Sequence, residues 1–283
     1  MNKKQKIYVI VGPTATGKSD YAVKLAKKVN GEVISADSRQ VYKGLDIATG
    51  KITKKEMKGV PHHMLNVADP RRAYSAACYI KNALRLLRYI VIQGKTPIIC
   101  GGTGFYISAL LGEIELANVP ANKALRKKLS KKSTYELFTI LKKLNPKRAK
   151  NIDNKNPVRL IRAIEIASNT NNSKQLTINP LKNEFKIIKI GLDFPDAELK
   201  KRIHIRLLKR IKQGMIAEAK KLHKNGLSFK RMNELGLEYR FLAKYSQGEI
   251  DKKELLEKIE KGNWDYAKRQ RTWFRRDKNI KWV

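Results

Sequence analysis

The 283-residue chain carries 62 lysine and arginine residues against 25 aspartate and glutamate, a formal net charge of +37, and 42% of it is apolar. That apolar share excludes a disordered chain, and the length suits one large domain or a domain bearing an insertion. No apolar run is long enough to span a membrane and no N-terminal run resembles a secretory signal, so a cytoplasmic protein without a membrane partner is expected.

Cys78 and Cys100 form no spacing motif and read as small buried hydrophobes in a reducing compartment. The positive charge would attract a polyanion such as a phosphate backbone. A general lysine excess produces the same number without function, so the placement of the charge has to decide.

In chain order, residues 7–11 form an apolar run that reads as a buried parallel strand. Residues 18–29 follow as a helix with Tyr21, Ala22, Leu25, Ala26 and Val29 at helical spacing. Residues 32–36 read as a second strand closing at Asp37. Residues 76–93 form a long amphipathic helix, and 96–100 a third strand followed by Gly101 to Gly104. Alternating strands and helices of these lengths predict an α/β fold, a P-loop NTPase-like parallel sheet flanked by helices.

The texture then changes. Residues 122–150 hold eleven lysines and arginines and one acidic residue, Glu136, in a helical pattern without strand character. Residues 157–167 read as another helix, 170–179 as a polar loop, and 186–194 as a returning strand. The expected organisation is a catalytic core of residues 1–117 and 186–283 interrupted by a helical insertion domain over 118–185. Leu199, Ile203, Leu207, Ile211, Ile216 and Leu222 trace one helical face. Leu255, Leu256 and Ile259 mark a further short helix. Residues 266–282 interleave basic and aromatic side chains, which suits RNA stacking and phosphate contact or a packed helix with solvated charges.

Gly12-Pro13-Thr14-Ala15-Thr16-Gly17-Lys18-Ser19 matches the P-loop pattern between a strand and a helix. Glycines let backbone N–H groups turn toward phosphate oxygens, Lys18 supplies a point charge, and the Ser19 hydroxyl is suited to Mg²⁺. The motif predicts a bound di- or triphosphate without specifying ATP or a kinase. Asp37 faces the same crevice from the end of the second strand. It suits a metal-bound role, a general base, or a plain helix cap. The adjacent His62 and His63 have no third ligand nearby and read as packing or hydrogen-bonding residues.

Taken together, these motifs resemble the tRNA dimethylallyltransferase family over nearly the whole chain. The resemblance runs through the P-loop, Asp37-Ser38-Arg39-Gln40 and the residues that follow, Val60-Pro61-His62-His63, and Gly101-Gly102-Thr103-Gly104-Phe105-Tyr106. It continues through Arg159-Leu160-Ile161-Arg162 to Tyr266-Ala267-Lys268-Arg269-Gln270-Arg271-Thr272-Trp273-Phe274-Arg275. It implies transfer of a dimethylallyl group from dimethylallyl diphosphate to N6 of the adenosine 3′ of the anticodon, in tRNAs reading U-initial codons. Asp37 would be the general base, with Thr14 and Arg206 serving the departing diphosphate. The residues from Gly12 to Ser19 would hold the donor with Mg²⁺ at Ser19. Asp37, Ser38, Arg39, Gln40, Thr103, Val158, Arg159, Leu160, Ile161 and Arg162 would contact the anticodon stem-loop of the tRNA partner. The protein is expected to be a monomer.

The chain departs from the family pattern in three places. Ala48-Thr49-Gly50-Lys51 stands for Gly-Thr-Ala-Lys, Leu235-Gly236-Leu237-Glu238-Tyr239 for a stretch with Ile-Gly-Tyr, and Lys155-Asn156 for Asn-Asp. Rival readings are an isopentenyltransferase on free adenine nucleotides, which needs no basic insertion, and a P-loop small-molecule kinase, which would turn over ATP. A non-catalytic RNA-binding protein has no use for Lys18 and Asp37, and the Asn-Lys-x-Asp guanine motif of a GTPase is missing.

Overall fold

The computed structural model describes residues 4–169, 175–176 and 181–283. The chain divides into two compact units, Met1–Glu113 with Pro180–Val283, and Ile114–Asn179.

The first unit opens with β1 (Lys6–Val11), α1 (Lys18–Lys28), β2 (Gly31–Ser35), α2 (Lys54–Met57), β3 (His62–His63), α3 (Ala76–Ile92), β4 (Thr96–Cys100) and α4 (Gly104–Leu110). The second unit holds β5 (Leu116–Ala117), α5 (Lys123–Leu129), α6 (Thr134–Leu144), α7 (Pro146–Ala149), α8 (Pro157–Ala167) and β6 (Gln175–Leu176). The first unit resumes with α9 (Leu181–Glu184), β7 (Lys186–Gly191), α10 (Asp196–Lys212), α11 (Met215–Lys224), α12 (Phe229–Glu234), α13 (Leu237–Ser246), α14 (Lys252–Phe274) and β8 (Ile280–Trp282).

The six strands of the first unit form one parallel sheet in the order β3-β2-β4-β1-β7-β8. The strand between β4 and β7 is β1, which explains its unbroken apolar run. Ile10, Val33, Ile98 and Cys100 meet Ala22, Val23 and Ala26 of α1 in one buried cluster. Gly12 leaves β1 at φ 138°, and a Cβ there would lie 2.1 Å from the Leu192 carbonyl oxygen, so the turn into the phosphate loop admits only glycine.

Several sequence expectations need correction. The helical face traced from Leu199 to Leu222 belongs to two helices, because Gly214 at φ 96° ends α10 and starts α11. The short helix expected around Leu255 is the 23-residue α14, opened by a capping box in which Asp251 and Glu254 each bond the other's backbone N–H. The strand expected over 186–194 ends at Gly191. Strand β8 pairs with β7 at the sheet edge and was not anticipated. Cys100 is buried, but Cys78 sits on the solvent side of the first turn of α3 and is exposed. The polar stretch 170–179 lies mostly outside the described residues, and its members Gln175 and Leu176 pair as a strand with β5.

The second unit packs Leu129, Leu137, Leu141, Ala149, Leu160 and Ile164 into its own core. At its edge the Glu165 carboxylate, 1% exposed, accepts from Asn122 N at 2.7 Å, from the Arg126 guanidinium at 2.6 and 2.8 Å, and from Arg162. Burial pushes this carboxyl up, but the hydrogen bonds outweigh it and hold it at about 2. A depressed acid stabilises the fold above its unfolded value, and the contribution fades as the pH falls from about 4.5 toward 2. Glu165→Gln leaves two guanidiniums without their anion, and we expect a loss of about 2 kcal/mol at neutral pH, shrinking over that acid window. Urea unfolding at pH 7 and pH 3 checks both parts.

Candidate active site

The carboxyl ends of β1, β2 and β4 open onto a cavity of about 440 Å³. In an open parallel sheet this is where the chain reverses its winding and ligands settle. Thr14, Ala15, Gly17, Lys18 and Ser19 line the cavity, while Gly12, Pro13 and Thr16 are buried behind them. The loop is held from within: the Thr16 hydroxyl donates to the Pro13 carbonyl at 3.0 Å and the Lys18 ammonium to the same oxygen at 2.5 Å. Helix α1 begins at Lys18, so its first N–H groups and its dipole add to the ammonium. Burial pulls the Lys18 pKa down to about 8.

Asp37 follows β2. Its Oδ1 accepts from Arg39 N at 2.8 Å and Gln40 N at 3.2 Å, and among the described residues Oδ2 has no hydrogen-bond partner. No helix follows, so the residue caps a turn and presents one free carboxylate oxygen at the cavity wall. Ser38 N donates to the Thr103 hydroxyl at 3.0 Å, which joins this turn to the loop after β4. Arg39 reaches the Glu234 carbonyl at 3.2 Å, and Gln40 lines the cavity.

From α10, Arg206 projects into the cavity and donates to the Thr14 hydroxyl. Burial, then the neighbouring Arg210 charge, lowers its pKa to about 9, so it remains a cation at neutral pH. Arg202 and Lys209, four and three positions away, line the same wall. Lys18, Arg206 and Lys209 thus line one space together with the phosphate-loop residues, an arrangement that suits a diphosphate. Among the described residues there is no cluster of three or more His, Cys, Asp or Glu fit to hold a metal. His63 instead contacts Glu32 at 2.6 Å, and His62 Nδ1 lies 2.8 Å from the Val60 carbonyl.

Two departures from the family pattern meet in space. A Cβ at position 50 would lie 1.7 Å from the Arg210 guanidinium, so Gly50 is what admits that side chain. Arg210 donates to the Ala48 carbonyl at 3.1 Å and lies 4.0 Å from Glu238. Next to it, Glu218 accepts from the backbone of Asp46, Ile47 and Ala48 and from the Tyr239 hydroxyl at 2.6 Å. The unusual residues at 48–50 and 238–239 are parts of one packed wall.

In the second unit, Val158 and Arg159 are exposed and Ile161 is half-buried. Leu160 is fully buried in that unit's core, so its side chain serves packing. Arg162 is bound to Glu165 and to the Val119 carbonyl at 2.9 Å.

Sequence reasoning gave no site role to Gln270, Tyr266 or Lys209, all of which line the cavity. The missed signal is a polar residue on an apolar helical stripe: Leu255, Ile259, Ala267 and Phe274 are buried on one face of α14, and Gln270 shares it. The 266–282 segment accordingly packs as the end of α14 and β8, with Phe274 and Arg271 buried. Arg271 is tied to Asp193 at 2.9 Å and to Asp196.

A family model described as IPP transferase matches residues 40–277, and one described as isopentenyl transferase matches residues 5–73. The chain belongs to the tRNA dimethylallyltransferase family. It is 43% identical to tRNA dimethylallyltransferase 2 of Treponema denticola, over 100% of this chain and 97% of that one. It is 38% identical to the tRNA dimethylallyltransferase of Anoxybacillus flavithermus, over 98% and 90%. The crystal structure of the full-length tRNA isopentenylpyrophosphate transferase of Bacillus halodurans is similar at TM-score 0.74 and 36% identity, covering 99% of this chain and 90% of that chain. A eukaryotic dimethylallyltransferase acting on tRNA is similar at TM-score 0.77 and 25% identity, covering 95% and 70%. In this transferase family the P-loop fold therefore carries prenyl transfer, and the kinase and GTPase readings fall away.

Proposed function

We propose that this transferase moves the dimethylallyl group of dimethylallyl diphosphate to N6 of the adenosine 3′-adjacent to the anticodon, in tRNAs reading U-initial codons. The observation that carries this reading is one cavity holding a phosphate loop, the Arg206–Thr14 contact and a carboxylate oxygen of Asp37 with no hydrogen-bond partner among the described residues.

The loop amides and Lys18 hold the donor diphosphate, and Arg206 takes up charge as the allylic C–O bond breaks. The adenine amine is a weak nucleophile, because its lone pair is conjugated with the ring. Asp37 accepts the N6 proton as the new C–N bond forms, and diphosphate leaves. The adenosine leaves the anticodon-loop stack to enter the cavity. The Ser19 hydroxyl lines the cavity and is a hard oxygen ligand of the kind Mg²⁺ takes, so Ser19 together with the donor's own oxygens would hold it. When bound, Mg²⁺ would neutralise charge on the departing diphosphate.

The exposed basic surface of the second unit supports a role in holding the anticodon stem-loop. Lys128 and Lys131 are both exposed there. Replacing both with glutamine is expected to weaken stem-loop binding and flatten its salt dependence by about two counterions, with turnover at saturating RNA unchanged. Fluorescence titration across salt concentrations measures it, and an unchanged slope would assign those lysines to a solvated surface. The protein is proposed to act as a cytoplasmic monomer, which light scattering checks for the oligomeric state.

The test of the reaction is direct. Purified protein with dimethylallyl diphosphate and Mg²⁺ is given an anticodon stem-loop or AMP, and the products are weighed. A dimethylallyl gain on the RNA alone supports the reading. A gain on AMP alone would move the protein to free nucleotides.

A further inference from the structure

Gln270 is 5% exposed, an amide buried on the apolar face of α14. The other buried amide of this helix, Asn263, satisfies itself on the helix's own Ile259 carbonyl at 3.0 Å. Gln270 uses both ends elsewhere. Its Oε1 accepts from Thr14 N at 2.8 Å, and its Nε2 donates to the Gly102 carbonyl at 2.9 Å. A Cβ on Gly102 would lie 2.1 Å from that nitrogen, so the loop after β4 leaves room for the amide only by having none.

The two loops it joins are the two halves of the site. Thr14 presents to Arg206 the hydroxyl that the guanidinium binds. Gly102 precedes Thr103, whose hydroxyl receives Ser38 N, next to Asp37. One side chain is therefore bonded to the donor side and to the segment that supports the acceptor side. Building on the reaction proposed above, we infer that Gln270 is a positioning residue that sets the phosphate loop, and with it Arg206, in register with Asp37. It touches no reacting atom in this role. It acts because a displacement of about 1 Å in a preorganised site costs up to about a hundredfold in rate.

Three variants test it. Gln270→Ala should lower kcat/KM for dimethylallyl diphosphate by about ten- to a hundredfold, with RNA affinity close to wild type and a Tm somewhat lowered by the loss of two buried hydrogen bonds. Gln270→Glu has the same shape. Its ionised form sets a carboxylate oxygen against the Gly102 carbonyl, whereas its acid form restores both hydrogen bonds. Its rate relative to wild type should be low where the carboxylate is ionised and should recover as the pH falls and the acid form returns; the cavity's burial raises such an acid while Lys18 and Arg206, in the same lining, oppose that. Gly102→Ala should resemble Gln270→Ala, and the double variant should be no worse than Gly102→Ala, since the clash is gone.

Amide hydrogen exchange over residues 12–18 is read alongside, without catalysis, and the Gln270→Ala protein should lose protection at Thr14. A Gln270→Glu protein that equals wild type at every pH, or unchanged protection in Gln270→Ala, overturns the inference while leaving the reaction standing. A wild-type protein that transfers no prenyl group to RNA overturns the reaction instead, and exchange at Thr14 still decides whether the amide holds the loop.

Discussion

Asp37→Asn is expected to lower prenyl transfer by about a hundredfold or more in kcat, with stem-loop affinity nearly unchanged. The substitution keeps the Oδ1 that accepts from Arg39 N and Gln40 N, so the turn after β2 should survive and the variant should fold. What it removes is the second oxygen's ability to take a proton. Asparagine puts an NH₂ there, which meets the incoming N6 amine as donor against donor. The effect should therefore appear in turnover, with the donor KM moving little, because Lys18 and the loop amides are untouched. Single-turnover kinetics on a prebound stem-loop separates the chemical step from binding. A variant with wild-type single-turnover rate would remove Asp37 from the role of base and leave it as a turn cap.

The parts of this site that could be read in advance are those whose physics is local. The segment 12–19 announces itself because a glycine-rich turn, a lysine and a hydroxyl must follow an apolar strand for amides to close around phosphate. Helix α8 over Pro157–Ala167 was legible for the same reason, with Asn156 as cap and proline at the first turn. Strand β8 was not, because three residues acquire strand geometry only from the edge of β7. The length of α14 was hidden by its mixed composition, since a helix with Asn263 and Gln270 on its inner face breaks the apolar rhythm.

Long-range chemistry was legible least. Arg206 and Thr14 are 192 positions apart, and Gln270 and Thr14 are 256 apart. No spacing rule connects such residues, so Arg206 entered through family resemblance and Gln270 only through the fold. The Gly50 and Arg210 contact is of the same kind: a sequence departure that looks arbitrary until the guanidinium is seen occupying the space of the missing methyl.

Lys18→Ala is expected to cost about 10²–10³-fold in kcat/KM for dimethylallyl diphosphate. The ammonium stands at the start of α1 in a half-buried position, donating to the neutral Pro13 carbonyl, and burial has already lowered its pKa to about 8. Such a charge is held at some expense to the fold, so its removal should leave Tm unchanged or raise it, the reverse of a packing defect. Stem-loop affinity should stay at the wild-type value, because the residue addresses diphosphate and lies in the phosphate loop. Lys18→Arg should not rescue the loss, since a planar fork cannot occupy the place of a compact point charge beneath the loop. Donor titration, RNA titration and thermal melting on the same three proteins give the complete pattern. If Lys18→Ala kept its donor kinetics, the charge on the leaving diphosphate would have to be met by Arg206 and Lys209 alone. If instead it lost stem-loop affinity in step with donor affinity, the cavity would be an RNA phosphate site rather than a donor site.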